Sequence, residues 1–338
     1  MNIGVIGAGS WGTALAKLLA EKGYNVTLWA RREELREKME QTHRNDDYLP
    51  GILLPPKIRY TNSLEYAVKK KDLIVLAVPS HFVEDIVIKI KNYLHYKTII
   101  VNAAKGLLEG SLKRISEVIK DNLGPDLPSP IAVLSGPNHA EEVSRQIPTA
   151  SVTASWDLKT AEKVQDVFMT PYFRVYTNSD LIGVELGGAL KNVIALGAGI
   201  CEGLNYGDNT KAALLTRGLV EITRLGVVMG AKRSTFSGLT GLGDLFVTCN
   251  SSHSRNRYVG IMLGKGYPLE EITASMKMVA EGIKTTRAAY ELSHKHGVNM
   301  PITDEVYNIL FCKRSPQKAA ENLMGREKRY EIEETVFE

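Results

Sequence analysis

The chain has 338 residues, which favours two domains, because one small core needs fewer residues and three domains need more. Hydrophobic residues make up 44% and charged residues 24% of it, the usual balance of a globular protein. The 42 Lys and Arg residues are interspersed with 38 Asp and Glu residues, so the formal net charge of +4 forms no basic stripe of the kind that binds nucleic acid. Composition therefore predicts an ordinary globular protein with no nucleic-acid partner.

Three well-separated cysteines, Cys201, Cys249 and Cys312, predict neither a disulfide framework nor a metal site, and they suit a reducing compartment. Met1 leads at once into an apolar strand and glycines, which leaves no space for a signal peptide. Lys191 interrupts the longest apolar stretch, so no uncharged run reaches membrane-spanning length. We therefore expect a cytoplasmic protein that is not inserted into a membrane.

Short apolar strands alternate with helical patterns in the first half of the chain. The predicted strands are residues 3–6, 26–29, 73–78, 98–101 and 131–134. Continuously apolar strands of this kind are typical of a parallel sheet that helices cover on both faces. After residue 180 the strand signals fade and long helical patterns follow. The sequence predicts an α/β fold, with a doubly wound, Rossmann-type parallel sheet over residues 1–180 and an all-helical C-terminal domain over residues 181–338.

A glycine-rich turn with the pattern GxGxxG, at Gly7, Gly9 and Gly12, follows the first predicted strand and opens a helix. Between a strand and a helix, this pattern gives a pyrophosphate access to the backbone and to a helix N-terminus, although a purely structural turn is an alternative. About 20 residues further on, where an NAD site offers an acidic residue to the ribose, this chain has Arg31 and Arg32. Two guanidinium groups suit a 2′-phosphate, so NADP(H) is predicted in preference to NAD(H), unless either arginine is only a solvated helix-start residue.

Lys191 lies in a stretch, residues 183–199, that is apolar nearly all round, as a buried central helix would be. Burial disfavours the ammonium form and moves the pKa of a lysine towards neutrality, where it can give a proton to a carbonyl oxygen. The alternative is a lysine whose stem packs while its head reaches water. Gly187 and Gly188 favour the catalytic role, because small residues let a ligand or another backbone approach closely. Asn192 could bond a substrate or a backbone group.

Two later segments carry polar residues that suit a small phosphorylated substrate. A glycine-rich stretch, residues 238–243, ends at Asp244, whose carboxylate could orient a lysine, bond a substrate hydroxyl or cap a helix. Ser254, Arg255 and Asn256 precede a helical stretch, where a phosphate would meet hydroxyl, guanidinium, amide and helix N–H groups together. An exposed basic turn is the alternative for this segment.

These motifs together resemble the NAD(P)-dependent glycerol-3-phosphate dehydrogenases of bacterial type over nearly the whole chain. The matching segments, in order, are residues 7–12, 103–106, 135–137, 185–192, 241–244, 254–256 and 279–282. The resemblance implies reduction of dihydroxyacetone phosphate to sn-glycerol 3-phosphate with NADP(H), or alternatively NAD(H). It also implies a cytoplasmic homodimer that supplies glycerophospholipid synthesis.

The resemblance further implies roles for individual residues, with Lys191 as the proton donor or acceptor. The implied substrate contacts are Lys105, Gly136, Asn138, Lys191, Asp244, Ser254, Arg255 and Asn256. The implied dinucleotide contacts are Gly7, Gly9, Ser10, Trp11, Gly12, Arg31, Arg32, Tyr48, Lys105, Ala140, Arg255, Val279 and Glu281. Asn138 and His139 depart from the bacterial pattern, which usually has Ser or Thr followed by Phe. Asn can still bond a substrate hydroxyl, and we expect His139 to be a solvated or cofactor-packing imidazole.

Two other functions fit parts of the sequence. A 3-hydroxyacid or 6-phosphogluconate dehydrogenase shares the architecture and uses a buried lysine, but it needs a carboxylate-binding site where this chain has the 254–256 turn. A redox-sensing protein that holds NADP without turnover could share the fold, because a fold does not imply catalysis. Such a sensor has no use for Lys191.

Overall fold

A computed structural model describes residues 1–276, 278–328 and 330–331. The strands are β1 (Asn2–Ile6), β2 (Asn25–Trp29), β3 (Arg44–Asn45), β4 (Leu49–Leu53), β5 (Arg59–Thr61), β6 (Leu73–Leu76), β7 (Ile99–Asn102), β8 (Ile131–Ser135), β9 (Thr149–Ser155) and β10 (Phe173–Asn178). The helices between them are α1 (Ser10–Glu21), α2 (Glu33–Thr42), α3 (Leu64–Val68), α4 (Val83–Ile90), α5 (Ile115–Leu123), α6 (Ala140–Val143) and α7 (Leu158–Phe168). The helices after β10 are α8 (Leu181–Gly203), α9 (Asp208–Val228), α10 (Arg233–Phe236), α11 (Asp244–Asn250), α12 (Arg255–Gly264), α13 (Leu269–Ser275), α14 (Glu281–Lys295), α15 (Pro301–Phe311) and α16 (Pro316–Met324).

The main sheet has eight strands in the order β10-β9-β8-β7-β6-β1-β2-β5, and β3 and β4 form a separate pair. Every residue of β6, β7 and β8 is buried, because helices cover both faces of the sheet. The chain enters the sheet at β1 and adds strands first on one side and then on the other, which is the doubly wound order that leaves a crevice at the carboxyl ends of the strands. The predicted fold class is confirmed.

The sheet is parallel except at one pairing, where β9 runs antiparallel to β8, while β10 runs parallel to β9. The strand signal of β9 was missed because this strand carries small polar residues instead of an apolar run. Two of these hydroxyls bond buried backbone carbonyls, Ser151 Oγ to Ser135 O and Ser155 Oγ to Ile131 O, each at 2.7 Å. The third predicted strand also ends earlier than expected, at Leu76.

Helix α8 forms the centre of the helical part and packs against α9, α11, α12, α14 and α15. By length and apolar composition this helix could cross a membrane, although it is not an uncharged run, since it contains Lys191 and Glu185. However, 94% of that apolar window is buried inside the protein. The apolar surface of α8 is therefore already used as the core of the helical part.

The change from sheet to helices falls between the end of β10 and the start of α8. We retain residues 1–180 and 181–338 as the proposed domains. Residues 277, 329 and 332–338 of the second one lie outside the described part of the chain.

Candidate active site

The glycine-rich turn joins β1 to α1 at the carboxyl end of the sheet. Gly7 has a φ of 119°, and a Cβ there would lie 2.7 Å from Ala77 O, so the turn requires glycine at this position. A Cβ on Gly12 would lie 1.9 Å from Gly7 O, whereas one on Gly9 would meet nothing within 4 Å. Asn45 stabilises the turn through a hydrogen bond from its Nδ2 to Ala8 O, at 2.9 Å. The turn is thus closely packed against the protein at Gly7 and Gly12, and there is open space in front of Gly9.

A cleft of about 620 Å³ runs from this turn, across the ends of the strands, to the helical part. This volume is in the range of small-molecule and cofactor sites. Most of the predicted site residues line it: Gly7, Gly9, Ser10, Trp11, Arg31, Arg32, Tyr48, Lys105, Asn138, Ala140, Lys191, Ser254, Arg255, Asn256, Val279 and Glu281. Three others, Gly12, Gly136 and Asp244, do not line the cleft.

The residues present fit a dinucleotide. Trp11 lines the cleft, and its buried Nε1 has no hydrogen-bond partner among the described residues. A buried N–H without a partner is costly, so a ligand acceptor in the cleft would satisfy it. The open space at Gly9, in front of the N-terminus of α1, is where a pyrophosphate could approach the backbone.

Arg31 and Arg32 lie side by side and exposed at the end of β2. The Arg31 guanidinium lies 5.5 Å from the centre of the Phe82 ring. Arg32 Nη2 lies 3.2 Å from Asp47 Oδ2 and 3.4 Å from the Tyr48 hydroxyl, and the residue is also the N-cap of α2. Both guanidinium groups therefore face the cleft, although Arg32 is in part held by protein groups.

The helical end of the cleft contains two lysines that share one carboxylate. Lys191 Nζ donates to Asp244 Oδ1 and, at 2.6 Å, to Thr248 Oγ1. Lys105 Nζ donates to Asp244 Oδ2 at 3.0 Å, Gly136 O at 2.9 Å and Asn138 Oδ1 at 2.9 Å. Asp244 is only 1% exposed and makes no cap hydrogen bond, so the capping role does not apply, and its carboxylate contacts both lysines.

Lys191 is buried, at 5% exposure, and does not extend to water as a snorkelling lysine would. Burial lowers its pKa to about 7, and the positive charge of Lys105 lowers it as well, while Asp244 raises it. Gly187 and Gly188 do not admit a ligand here. They let α8 approach Thr240 O and Ser135 Oγ, which would lie 2.7 Å and 2.6 Å from added Cβ atoms.

Asn138 and His139 lie where β8 passes into α6. The Asn138 amide is engaged on both sides, since Oδ1 accepts from Lys105 and Nδ2 donates to Ser151 Oγ at 3.0 Å. The His139 ring lies 5.9 Å from the ring of His253. Burial lowers the pKa of His139 to about 4, and the charges of the two cleft lysines act in the same direction. The imidazole is therefore neutral near neutral pH.

The 254–256 turn is the start of α12 and is not simply an exposed loop. Ser254 is buried and caps the helix by accepting from Arg257 N at 3.2 Å. Asn256 is buried too. Its Nδ2 donates a hydrogen bond to Asn192 Oδ1 at 2.8 Å, and its Oδ1 accepts one from Gly282 N at 2.9 Å. Arg255 is the exposed member, lines the cleft and donates to a backbone carbonyl at 3.3 Å. A guanidinium beside a helix N-terminus provides a site for an anion.

Two contacts that sequence reasoning missed complete the cleft. Ser80 N donates to Glu281 Oε1 at 3.2 Å, and the Ser80 hydroxyl donates to Oε2, so the segment after β6 is joined to the start of α14 beside the cleft. Thr248 supports Lys191 from α11, four residues after Asp244. Its position on the same helix face as Asp244 is a signal that could have identified it, whereas nothing local in the sequence indicated the contact with Ser80.

Comparison with known proteins identifies the family. Models of the N-terminus and of the C-terminus of NAD-dependent glycerol-3-phosphate dehydrogenase match residues 2–161 and residues 180–321. Similar proteins named glycerol-3-phosphate dehydrogenase (NAD(P)+) include one from Moorella thermoacetica, 54% identical over 98% of this chain and 98% of the relative. Another, from Pelotomaculum thermopropionicum, is 52% identical over 99% of this chain and 96% of the relative.

Solved structures agree with this result. The glycerol-3-phosphate dehydrogenase of Coxiella burnetii has a TM-score of 0.92 and 38% identity, covering 96% of this chain and 99% of that one. A ketopantoate reductase from Ralstonia eutropha has a TM-score of 0.61 and 15% identity, which shows a shared fold alone. The resemblance noted from the motifs is confirmed. The chain belongs to the family of NAD-dependent glycerol-3-phosphate dehydrogenases.

Proposed function

We propose that this protein reduces dihydroxyacetone phosphate to sn-glycerol 3-phosphate, with Lys191 as the proton donor. It is an oxidoreductase of the glycerol-3-phosphate dehydrogenase family that uses NADP or NAD. The observation that carries the proposal is the buried Lys191 ammonium, held by Asp244 at the end of the cleft that begins at the glycine-rich turn. No non-catalytic sensor needs this arrangement.

Reduction of a ketone requires a hydride at the carbon and a proton at the oxygen. The dinucleotide, when bound, supplies the hydride. Lys191 supplies the proton, because its pKa of about 7 leaves a substantial ammonium fraction at neutral pH and makes that ammonium a stronger acid than an ordinary lysine. In the reverse direction the neutral amine accepts the proton from the alcohol. Asp244 and Thr248 orient Nζ, so the donor is in place before the substrate arrives.

Recognition of the substrate phosphate is assigned to the start of α12. Arg255 presents a guanidinium beside the first N–H groups of this helix, and a dianion gains from both. Lys105 and Asn138 line the same cleft as Lys191 and Arg255, and their ammonium and amide groups suit the hydroxyl and carbonyl oxygens of a three-carbon substrate. A 3-hydroxyacid dehydrogenase would need a carboxylate site here instead.

The predicted preference for NADP is retained as a proposal. Its support is the pair of exposed guanidinium groups at the end of β2, where the adenosine ribose of a dinucleotide lies in folds of this kind. The cytoplasmic homodimer and the supply of glycerophospholipid synthesis are proposed from the family alone.

A Lys191→Ala variant tests the proton role. We expect turnover of dihydroxyacetone phosphate to fall by roughly 100- to 10,000-fold, the usual contribution of general acid catalysis. The Kd for NADPH, measured by nucleotide fluorescence, should change little. Lys17→Ala is a matched control, because Lys17 is a buried lysine of α1 that is paired with Glu21 and does not line the cleft. Turnover of the Lys191 variant equal to that of the control would exclude Lys191 as the donor.

A further inference from the structure

Glu185 is a buried carboxylate that the proposed reaction does not use. It lies in α8 six residues before Lys191, which separates the two by about 9 Å along the helix axis and places them on different faces. The carboxylate accepts from Ser116 N at 2.8 Å, Arg114 Nη1 at 2.9 Å, Asn102 Nδ2 at 3.4 Å and the Ser116 hydroxyl. All three partners belong to the N-terminal domain proposed above, residues 1–180. The Glu185 carboxylate on α8 therefore joins that domain to the helical one.

One of these donors lies at the turn that carries Lys105. Asn102 is the last residue of β7, and its side chain makes two hydrogen bonds to the backbone of the turn. Oδ1 accepts from Ala104 N at 3.0 Å, and Nδ2 donates to Ala104 O at 3.3 Å. Lys105 is the next residue. On the far side of the turn a Cβ at Gly106 would lie 2.5 Å from Ser80 Oγ, so the backbone has no free space there. The turn is therefore fixed from two directions.

We propose that Glu185 is a positioning residue for the lysine pair: it fastens the Lys105 turn to the helix that carries Lys191, so that both ammonium groups meet the Asp244 carboxylate. The proposal rests on the function proposed above. Glu185 does not line the cleft, so its effect on the reaction passes through the lysines. The Arg114 partner balances its charge, which allows a carboxylate to lie at this depth.

Release of the turn would change the electrostatics of Lys191 in a defined direction. The titratable groups that face Lys191 are Asp244, Lys105, His139 and Cys249. Burial lowers the pKa of Lys191 most, Lys105 lowers it further, and Asp244 raises it. If Lys105 moves away from Asp244, one lowering influence is lost and the carboxylate acts on Lys191 alone. The pKa of Lys191 then rises, and the pH range in which it is protonated extends upwards.

The test compares Glu185→Gln with Glu221→Gln. Glu221 is a matched control, because it is also a buried carboxylate and accepts from Ile302 N, Thr303 N and Thr303 Oγ1 at 2.7 to 3.1 Å, at the start of α15 and outside the cleft. The alkaline limb of the pH profile is the range in which kcat for reduction falls as Lys191 loses its proton. In Glu185→Gln we expect this limb to move up by roughly one pH unit. We expect the limiting kcat to fall about 10- to 100-fold, because small misplacements of catalytic groups are costly.

Glu221→Gln should lose thermal stability and keep the wild-type pH profile. A Glu185→Gln variant that behaves in the same way, less stable but with an unchanged limb and kcat, would overturn the proposal. If wild-type protein does not reduce dihydroxyacetone phosphate, the proposed function fails, and that outcome is separate from the comparison of the two variants.

A double variant, Arg114→Met with Glu185→Leu, keeps the test valid if Glu185→Gln does not fold. Replacing a whole buried ion pair by apolar residues often preserves stability, whereas removing one partner leaves an uncompensated charge. The folded double variant should show the same upward movement of the limb and the same loss of kcat. A stable double variant with wild-type kinetics would contradict a positioning role.

Discussion

The pH dependence of an Asp244→Asn variant follows from the place of this carboxylate between two ammonium groups. Lys191 Nζ donates to Oδ1, and Lys105 Nζ lies 3.0 Å from Oδ2. Burial and Lys105 lower the pKa of Lys191, and Asp244 is the charge that raises it. Asparagine has nearly the same shape as aspartate, so the substitution removes the charge and leaves the packing.

The size of the effect follows from Coulomb's law. Opposite unit charges about 4 Å apart attract by about 4 kcal/mol at an effective dielectric constant near 20. Since about 1.4 kcal/mol corresponds to one pKa unit, the pKa of Lys191 should fall by about one to three units once solvent and Lys105 readjust. Reduction needs the ammonium form, so activity is present below this pKa and is lost above it. At about pH 7.5 we expect kcat to fall roughly 10- to 1,000-fold and to recover in part at lower pH.

The assay measures kcat for reduction at saturating NADPH and dihydroxyacetone phosphate, from about pH 5 to about pH 9. An Asp244→Asn variant whose alkaline limb stays near that of the wild type would refute the assignment of the limb to Lys191. His139→Phe provides the control for the other titratable group nearby. Because burial lowers the pKa of His139 to about 4, the histidine is neutral over most of this range, and its removal should leave the limb in place.

Two further predictions concern the dinucleotide end of the cleft. Replacing Arg31 and Arg32 by Ala should raise the KM for NADPH much more than that for NADH, while Arg36→Ala, in the helix that follows them and paired with neighbouring glutamates, should affect neither. Equal effects on both nucleotides would mean that no 2′-phosphate is bound there. Gly9→Ala should leave Tm nearly unchanged and weaken NADPH binding, because its Cβ would enter open space that the pyrophosphate needs. Gly12→Ala should instead lower Tm, because its Cβ would lie 1.9 Å from a backbone oxygen. A stable Gly12→Ala variant, or a Gly9→Ala variant with normal NADPH affinity, would contradict this packing.

The sequence predicted those parts of the fold whose signals are local. Strands β1, β2, β6, β7 and β8 are apolar runs, and each was located within a few residues. Strand β9 was missed, and its antiparallel direction with it, because buried hydroxyls satisfy backbone carbonyls there and hide the usual apolar pattern. The short edge strand β5 has three residues and presents too small a pattern to recognise.

The candidate site divides in the same way. The glycine-rich turn and the buried Lys191 could be inferred from local patterns, since their chemistry depends on a strand, a turn and a helix that are contiguous in the chain. Asp244 had three alternative roles in the sequence, and only the fold shows that two lysines contact it. Glu185 had no apparent role, because its partner Asn102 is 83 residues away in the sequence. Contacts of this kind depend on tertiary packing, which no local pattern encodes.

The most direct test of the central claim is the oxidation of NADPH by the purified protein with dihydroxyacetone phosphate, followed by the absorbance of the reduced nicotinamide. Unphosphorylated dihydroxyacetone and 3-oxo acids are run beside it. We predict rapid turnover with the phosphorylated ketone and little with the others, because the start of α12 offers an anion site and Lys191 a proton. Turnover of an oxo acid in its place, or of none of these compounds, would contradict the proposed function.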